Sequence, residues 1–219
     1  MRPLGGIERA PRGFGVALLV LATLPGAWIA YALGHDVNIL INDPTGTTIL
    51  GTDPVKTGEH LLGSWTLRFI LLTLAITPVR RITHWNWLAR HRRTLGLFAF
   101  AYALLHLLTW ALLDVQIGIS EFVTWGDVKT DILKRPFITI GMTAILLMVP
   151  LAATSTKGMI RRMGKRWGQL HKLIYVIAVL GVIHYWMAVK LDIRGPAIYG
   201  AILALLLGWR WRESRRRRT

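Results

Sequence analysis

The sequence predicts an all-α membrane protein, a bundle of six transmembrane helices with both termini in the cytoplasm. Three observations predict it. Of 219 residues, 53% are hydrophobic, and the mean hydropathy of +0.44 leaves a soluble chain with 10 Trp nowhere to hide its apolar surface. The apolar residues gather in runs close to the roughly 20 that a helix needs to cross about 30 Å of hydrocarbon. The basic residues, which give a formal charge of +16, sit in blocks between those runs, a pattern of membrane topology rather than nucleic-acid binding. The alternating strands of a membrane barrel, about 10 residues each, are not seen. Cysteine is absent, which excludes disulfides, thiolate metal sites, iron–sulfur clusters and covalent haem attachment. Any metal must be held by His or carboxylate.

Residues 1–13 form a basic amino end with Arg2, Arg9 and Arg12. The first span covers 14–33. Ala30-Tyr31-Ala32 has the form of a signal cleavage site, but an apolar run of about 20 residues exceeds the usual 7–15 of a signal peptide, so a retained helix is predicted. Further spans are predicted at 61–79, 95–113, 137–153, 170–189 and 197–209, the last short unless its Trp and Arg flanks sit in the interface. Pro78, Pro136 and Pro196 fall near span ends, whereas Pro25 and Pro150 fall inside, where a membrane helix absorbs a kink. Residues 14–209 thus make one transmembrane domain, and 210–219 a basic cytoplasmic tail whose run 215–218 reads as an anchor to anionic membrane lipid. No internal repeat is visible in the sequence.

Charge sets the orientation. The amino end, 80–93, 155–172 and the tail hold 20 of the 27 Lys and Arg residues, against six in 34–60, 114–136 and 190–196. Nine of the 11 acidic residues lie on the latter side. By the positive-inside rule the first group is cytoplasmic.

Of the seven histidines, His35 and His84 fall in predicted loops, His60 and His91 at helix entrances, His106 inside the third span and His184 inside the fifth. His171 sits at the cytoplasmic entrance of the fifth. An ionisable side chain within a span is costly and points to function. His106 lies about 18 Å into its span and His184 about 21 Å into its own, on helices that run parallel. Two imidazoles at one depth suit axial ligation of a haem iron from both sides. His171 lies about 20 Å closer to the cytoplasm, where a second haem would stand within electron-transfer range. On an ideal helix His171 and His184 are about 140° apart, so a bend or a differently approached cofactor is required. His91 is either the partner of His171 or an interfacial cation in Arg90-His91-Arg92-Arg93. Arg68, inside the second span, is expected to be buried against an anion such as a haem propionate. Trp65, Trp110 and Trp186 read as packing or interfacial aromatics.

Several stretches carry a resemblance: Gly63-Ser64-Trp65-Thr66-Leu67, Leu74-Ala75-Ile76-Thr77-Pro78, Arg92-Arg93-Thr94-Leu95-Gly96-Leu97, Lys134-Arg135-Pro136-Phe137-Ile138-Thr139 and Leu151-Ala152-Ala153-Thr154-Ser155. With Leu170-His171, Tyr175 and His184-Tyr185-Trp186, the region 55–190 resembles the MsrQ (YedZ) family of haem-binding membrane subunits, in the ferric-reductase-like transmembrane group. The resemblance implies a multi-pass protein of the bacterial inner membrane carrying haem b, one or two, and FMN. It implies a chain that passes electrons from the quinone pool or a cytosolic flavin reductase to MsrP, a periplasmic molybdopterin reductase of methionine sulfoxide. It carries haem-ligand roles to His106, His171 and His184, and aligns His60 with a histidine ahead of the Gly-x-Trp motif. The wider ferric-reductase pattern has a second histidine 14 residues before the one on the third helix, where this chain has Arg92.

The chain has no Gly-x-G-x-x-G dinucleotide motif and no extramembrane catalytic module, so both ends of an electron path must be borrowed from partners. It is therefore predicted to be an electron-transfer subunit with no complete active site of its own. Two rivals are a proton-coupled six-helix transporter, which wants broken helices and inverted repeats, and a stand-alone diheme metal reductase, which wants four membrane histidines in two pairs. A dithionite-reduced absorption spectrum separates a haem carrier from a transporter.

Overall fold

Helix boundaries follow from local side-chain chemistry in this computed structural model, which describes residues 10–43, 45–114, 129, 134–189 and 192–216. Helix α1 spans Phe14–Asn42. Helix α2, Pro54–Thr83, starts with Pro in its first turn and with the Asp53 side chain accepting from the Lys56 amide at 3.1 Å. It ends at His84, which adopts a left-handed φ of 61°. A short 3₁₀ turn, Asn86–His91, leads into α3, Arg92–Thr109, which continues as a π-helical turn, Trp110–Asp114. Helix α4 spans Pro136–Ala153. The short α5, Lys157–Met163, is capped by the Thr156 hydroxyl and separated from α6, Lys165–Leu170, by Gly164 at φ 53°. Helices α7, Leu173–Ala188, and α8, Arg194–Arg216, complete the chain. Among the described residues there is no strand.

Among the described residues five helical stretches are long and apolar enough to cross a membrane: Phe14–Asn42, Pro54–Thr83, Asn86–Leu113, Pro136–Ala153 and Lys165–Ala188. The expected sixth, 197–209, is helical as part of α8, but its apolar section is shorter than its 23-residue helix. The outer surface matches this reading, since Tyr31, Ile41, Leu146 and Leu205 are each at least 65% exposed. A lipid solvent tolerates that exposure and water does not. His35 proves to lie within α1, not in a loop. The helix continues past the expected end because the adjacent Asp36 is fully buried and accepts from the amides of Ile49 (2.8 Å) and Leu50 (2.7 Å) and from His35 Nδ1 (2.9 Å). A charge that looked like a loop residue is instead satisfied by the returning chain.

Helix α2 packs most extensively on α3, and α4 on α7. Ile29, Leu74, Ala99, Ile177 and Ala178 are buried to 1% exposure or less in the shared core. Two prolines explain how the flanking helices attach. Near Pro25, the Tyr102 hydroxyl enters the α1 ladder, accepting from Gly26 N at 2.6 Å and donating to Ala22 O at 2.7 Å. A Cβ at position 26 would stand 2.9 Å from that oxygen, so only glycine admits it. Pro78, lacking an N–H, leaves the Leu74 carbonyl open. Arg210 from α8 fills the gap, with Nη2 donating to Leu74 O at 2.6 Å and Nη1 to Tyr175 Oη at 2.8 Å.

Candidate functional site

The two principal hairpins, α2–α3 and α4–α7, each present one histidine in the same way. His106 Nδ1 lies 2.9 Å from the Glu59 carbonyl, and His184 Nδ1 lies 2.7 Å from the Phe137 carbonyl. A carbonyl can only accept, so each Nδ1 carries the proton and each Nε2 keeps a free lone pair. Both bonds join residues 47 apart in the chain. Each ring also rests on a glycine four residues after its carbonyl partner. A Cβ at Gly63 would lie 3.3 Å from the His106 ring, and one at Gly141 would lie 2.8 Å from His184 Nδ1. The pairs Gly63 and His106, Gly141 and His184 thus repeat at an offset of 78 residues. The repetition lives in geometry, and too few side chains are identical for it to show in the sequence.

The two ring centroids are 6.0 Å apart with planes at 81°. Metal–imidazole bonds of about 2.0–2.1 Å on opposite sides of one ion place the ligating nitrogens about 4 Å apart, which this centroid separation accommodates. Among the described residues no three His, Cys, Asp or Glu side chains converge as a metal site held by protein alone. Two imidazoles are what an iron needs when a porphyrin fills its other positions.

The rings line a cavity of about 680 Å³. Lys56, His60 and Arg135 lie at one end of its lining, Ile70, Met148 and Ile177 at the other. Such a gradient suits a flat apolar group with anionic substituents on one edge. Trp110, in the π-helical turn, lines the cavity with its buried Nε1 lacking a partner among the described residues. That leaves one indole N–H for a ligand acceptor. Lys56, Arg135, Trp110 and the two glycines were not singled out as site residues from the sequence.

Comparison with known proteins agrees with this donor set. A family profile described as "Ferric reductase like transmembrane component" matches residues 62–182. A Xanthomonas campestris pv. campestris (strain 8004) protein named "Protein-methionine-sulfoxide reductase heme-binding subunit MsrQ" is 53% identical over 175 residues, covering 80% of this chain and 78% of its own. Proteins of the same name from Xanthomonas oryzae pv. oryzae (strain MAFF 311018) and Herminiimonas arsenicoxydans are 51% and 48% identical over 176 residues, covering 80% and 77% of this chain and 78% of their own. The chain belongs to the MsrQ family.

The other expected residues of this MsrQ-family chain are distributed unevenly. His60 lines the cavity, exposed at its polar end, with its ring 6.2 Å from that of Tyr185. Arg68 does not line the cavity. It is exposed on the outer face of α2, with Nε donating to Tyr199 Oη at 2.9 Å and its guanidinium 4.6 Å from the Trp65 ring centroid. The expectation of a buried Arg is corrected: Leu67, Phe69, Ile70 and Leu71 face inward, and position 68 falls on the opposite side of the helix. His171 stands apart from the pair, stacked on Trp167 at 3.8 Å, with Nδ1 3.1 Å from the Trp167 carbonyl. It follows the last residue of α6, and His171 and Lys172 separate α6 from α7. His91 is buried against Phe14 and Trp87, at centroid distances of 5.1 and 6.0 Å. FMN, also implied by the resemblance, has no residues here that single themselves out for it.

Proposed function

We propose that this MsrQ-family chain is a haem b electron-transfer subunit of the bacterial inner membrane, with six spans and cytoplasmic termini. The observation that carries the reading is the pair of Nδ1-anchored imidazoles, His106 and His184, on opposite hairpins of one cavity. Both rings are offered in the tautomer that binds a metal through Nε2, and their carbonyl partners fix ring orientation and raise ligand basicity. Lys56 and Arg135 supply positive charge for carboxylates at the polar end, and Trp110 Nε1 supplies a donor. Haem b bound between the imidazoles supplies one-electron chemistry at low dielectric. His171 is proposed as a ligand of a second haem nearer the cytoplasm, or as part of its surroundings. The relatives' names speak of a protein-methionine-sulfoxide reductase system. On that basis the electron acceptor is proposed to be the periplasmic molybdopterin enzyme MsrP, and the donor the quinone pool or a cytosolic flavin reductase, with FMN as an accessory carrier. The polar mouth of the cavity faces the side proposed to be periplasmic, as the export end requires.

The test is spectroscopic. Purified full-length protein is expected to show Soret and α bands on dithionite reduction, and His106→Ala or His184→Ala should abolish the main haem signal. The reduced protein should reoxidise faster only when MsrP and methionine sulfoxide are both present. Unchanged haem content in both variants rules out the ligand pair. Reoxidation indifferent to MsrP and its substrate rules out the donor role.

A further inference from the structure

At the basic end of the bundle, away from the His106 and His184 cavity, Arg92 at the start of α3 lies within electrostatic reach of Arg80 on α2, Arg210 on α8 and Tyr175 on α7, and Arg210 is hydrogen-bonded to Tyr175. Among the described residues no carboxylate is ion-paired to any of the three arginines. Glu213, the one acidic residue described at this end, is ion-paired to Arg81. Arg210 spends Nη1 on Tyr175 and Nη2 on the Leu74 carbonyl, while its buried Nε has no partner among the described residues. Tyr175 Oη accepts from Arg210 and therefore keeps its own proton to donate. Guanidinium groups held together in a half-buried crevice repel one another unless an anion joins them. Arg210 Nε and the Tyr175 O–H are thus donors open to an acceptor, with Arg92 and Arg80 adding positive charge around them.

We propose that Arg80, Arg92, Arg210 and Tyr175 form a site for the phosphate of an anionic phospholipid headgroup, clamped between α2, α3, α7 and α8. The level fits a headgroup. Arg81 packs over Trp209 at 5.6 Å and Arg215 over Trp211 at 4.1 Å, an arrangement of interfacial aromatics and cations at the same end. Basic pockets between membrane helices on the cytoplasmic side are suited to anionic lipid, and guanidinium matches phosphate oxygens in a bidentate way. The lipid would close the seam by which α8 joins the bundle, because Arg210 is also the tie from α8 to α2 and α7. The site lies apart from the His106 and His184 pair, although Arg92 is also within electrostatic reach of His171, and its test reads lipid, not haem.

The experiment uses the full chain, delipidated in neutral detergent and titrated with phosphatidylglycerol or phosphatidylcholine, with bound lipid counted by native mass spectrometry. Phosphatidylglycerol is expected to bind preferentially. Arg92→Gln and Arg80→Gln should each weaken it about fivefold, and Lys157→Gln, exposed on α5 and outside the cluster, by less than about twofold. Arg210→Gln also severs two helix ties, so Tyr175→Phe, which removes a donor while keeping the ring, replaces it as the third variant and should likewise weaken binding. Equal binding of the two lipids, or Arg92→Gln no weaker than Lys157→Gln, overturns the site. Displacement of bound phosphatidylglycerol by FMN or inorganic phosphate overturns the lipid assignment and gives the cluster to a soluble phosphate instead.

Discussion

His184 is held more tightly against its glycine than His106 is, and the difference has a measurable consequence. A methyl group at Gly141 would lie 2.8 Å from Nδ1 and 2.9 Å from Cε1 of His184, too close for any arrangement that leaves the ring in place. At Gly63 the nearest ring atoms are 3.3 Å away, and a shift of a few tenths of an ångström relieves the contact. Gly141→Ala is therefore expected to break the Nδ1 bond to Phe137 and weaken haem retention about 10–100-fold, as loss of a partner behind a metal ligand does. Gly63→Ala should weaken it less, and Gly34→Ala, whose Cβ meets nothing within 4 Å, should leave it unchanged. Haem titration of the three variants checks the order. The two histidines were legible in the sequence because depth along a helix is simple arithmetic. The glycines and Trp110 were not, since their roles exist only where two helices meet. Arg68 was misread for a related reason: sequence gave its depth, but its face is fixed by which neighbours turn inward.

At the scale of the helix, interruptions organise the bundle more than regular turns do. The insertion of Tyr102 beside Pro25 joins α1 to α3 one turn before His106, and it satisfies a buried amide and carbonyl that the kinked helix cannot pair directly. Tyr102→Phe leaves both groups unsatisfied. It should cost about 1–3 kcal/mol of stability, seen as a lower Tm in detergent with haem ligands intact. A Tm equal to that of the unsubstituted protein would show that the α1 ladder closes without the hydroxyl. Sequence placed Pro25 and Pro150 inside helices correctly. It also required a bend near His171 or a cofactor approached from another side, and α6 and α7 are separated there by two residues. What it could not provide was the extent of α1, because the polar pair His35 and Asp36 looks like a loop until the amides of Ile49 and Leu50 are seen to cover it.

For the whole molecule, the open question of topology turns on α8. Its apolar section, 197–209, covers only about 20 Å at helical rise, short of the hydrocarbon core, whereas the full helix from Arg194 to Arg216 reaches about 34 Å. The helix is nevertheless tied along its length. Tyr199 receives Arg68 Nε from mid-α2, Arg210 bonds Leu74 and Tyr175, and Glu213 pairs with Arg81 near the end of α2. These contacts run from the middle of α2 to its last turn in the same order along α8, so the two helices are parallel neighbours through half the bundle. A helix lying flat on the membrane could not make both the Tyr199 and the Glu213 contacts with an α2 that crosses it. With Arg194 and Arg210–Arg216 snorkelling at its ends, α8 is expected to span, and a reporter fused after Arg216 should report the same side as one inserted in 80–93. Insertions in 34–60 or 114–136 should report the other side. A fusion after Arg216 found outside the cytoplasm would place an odd number of spans between the ends and separate Glu213 from Arg81 by the whole bilayer.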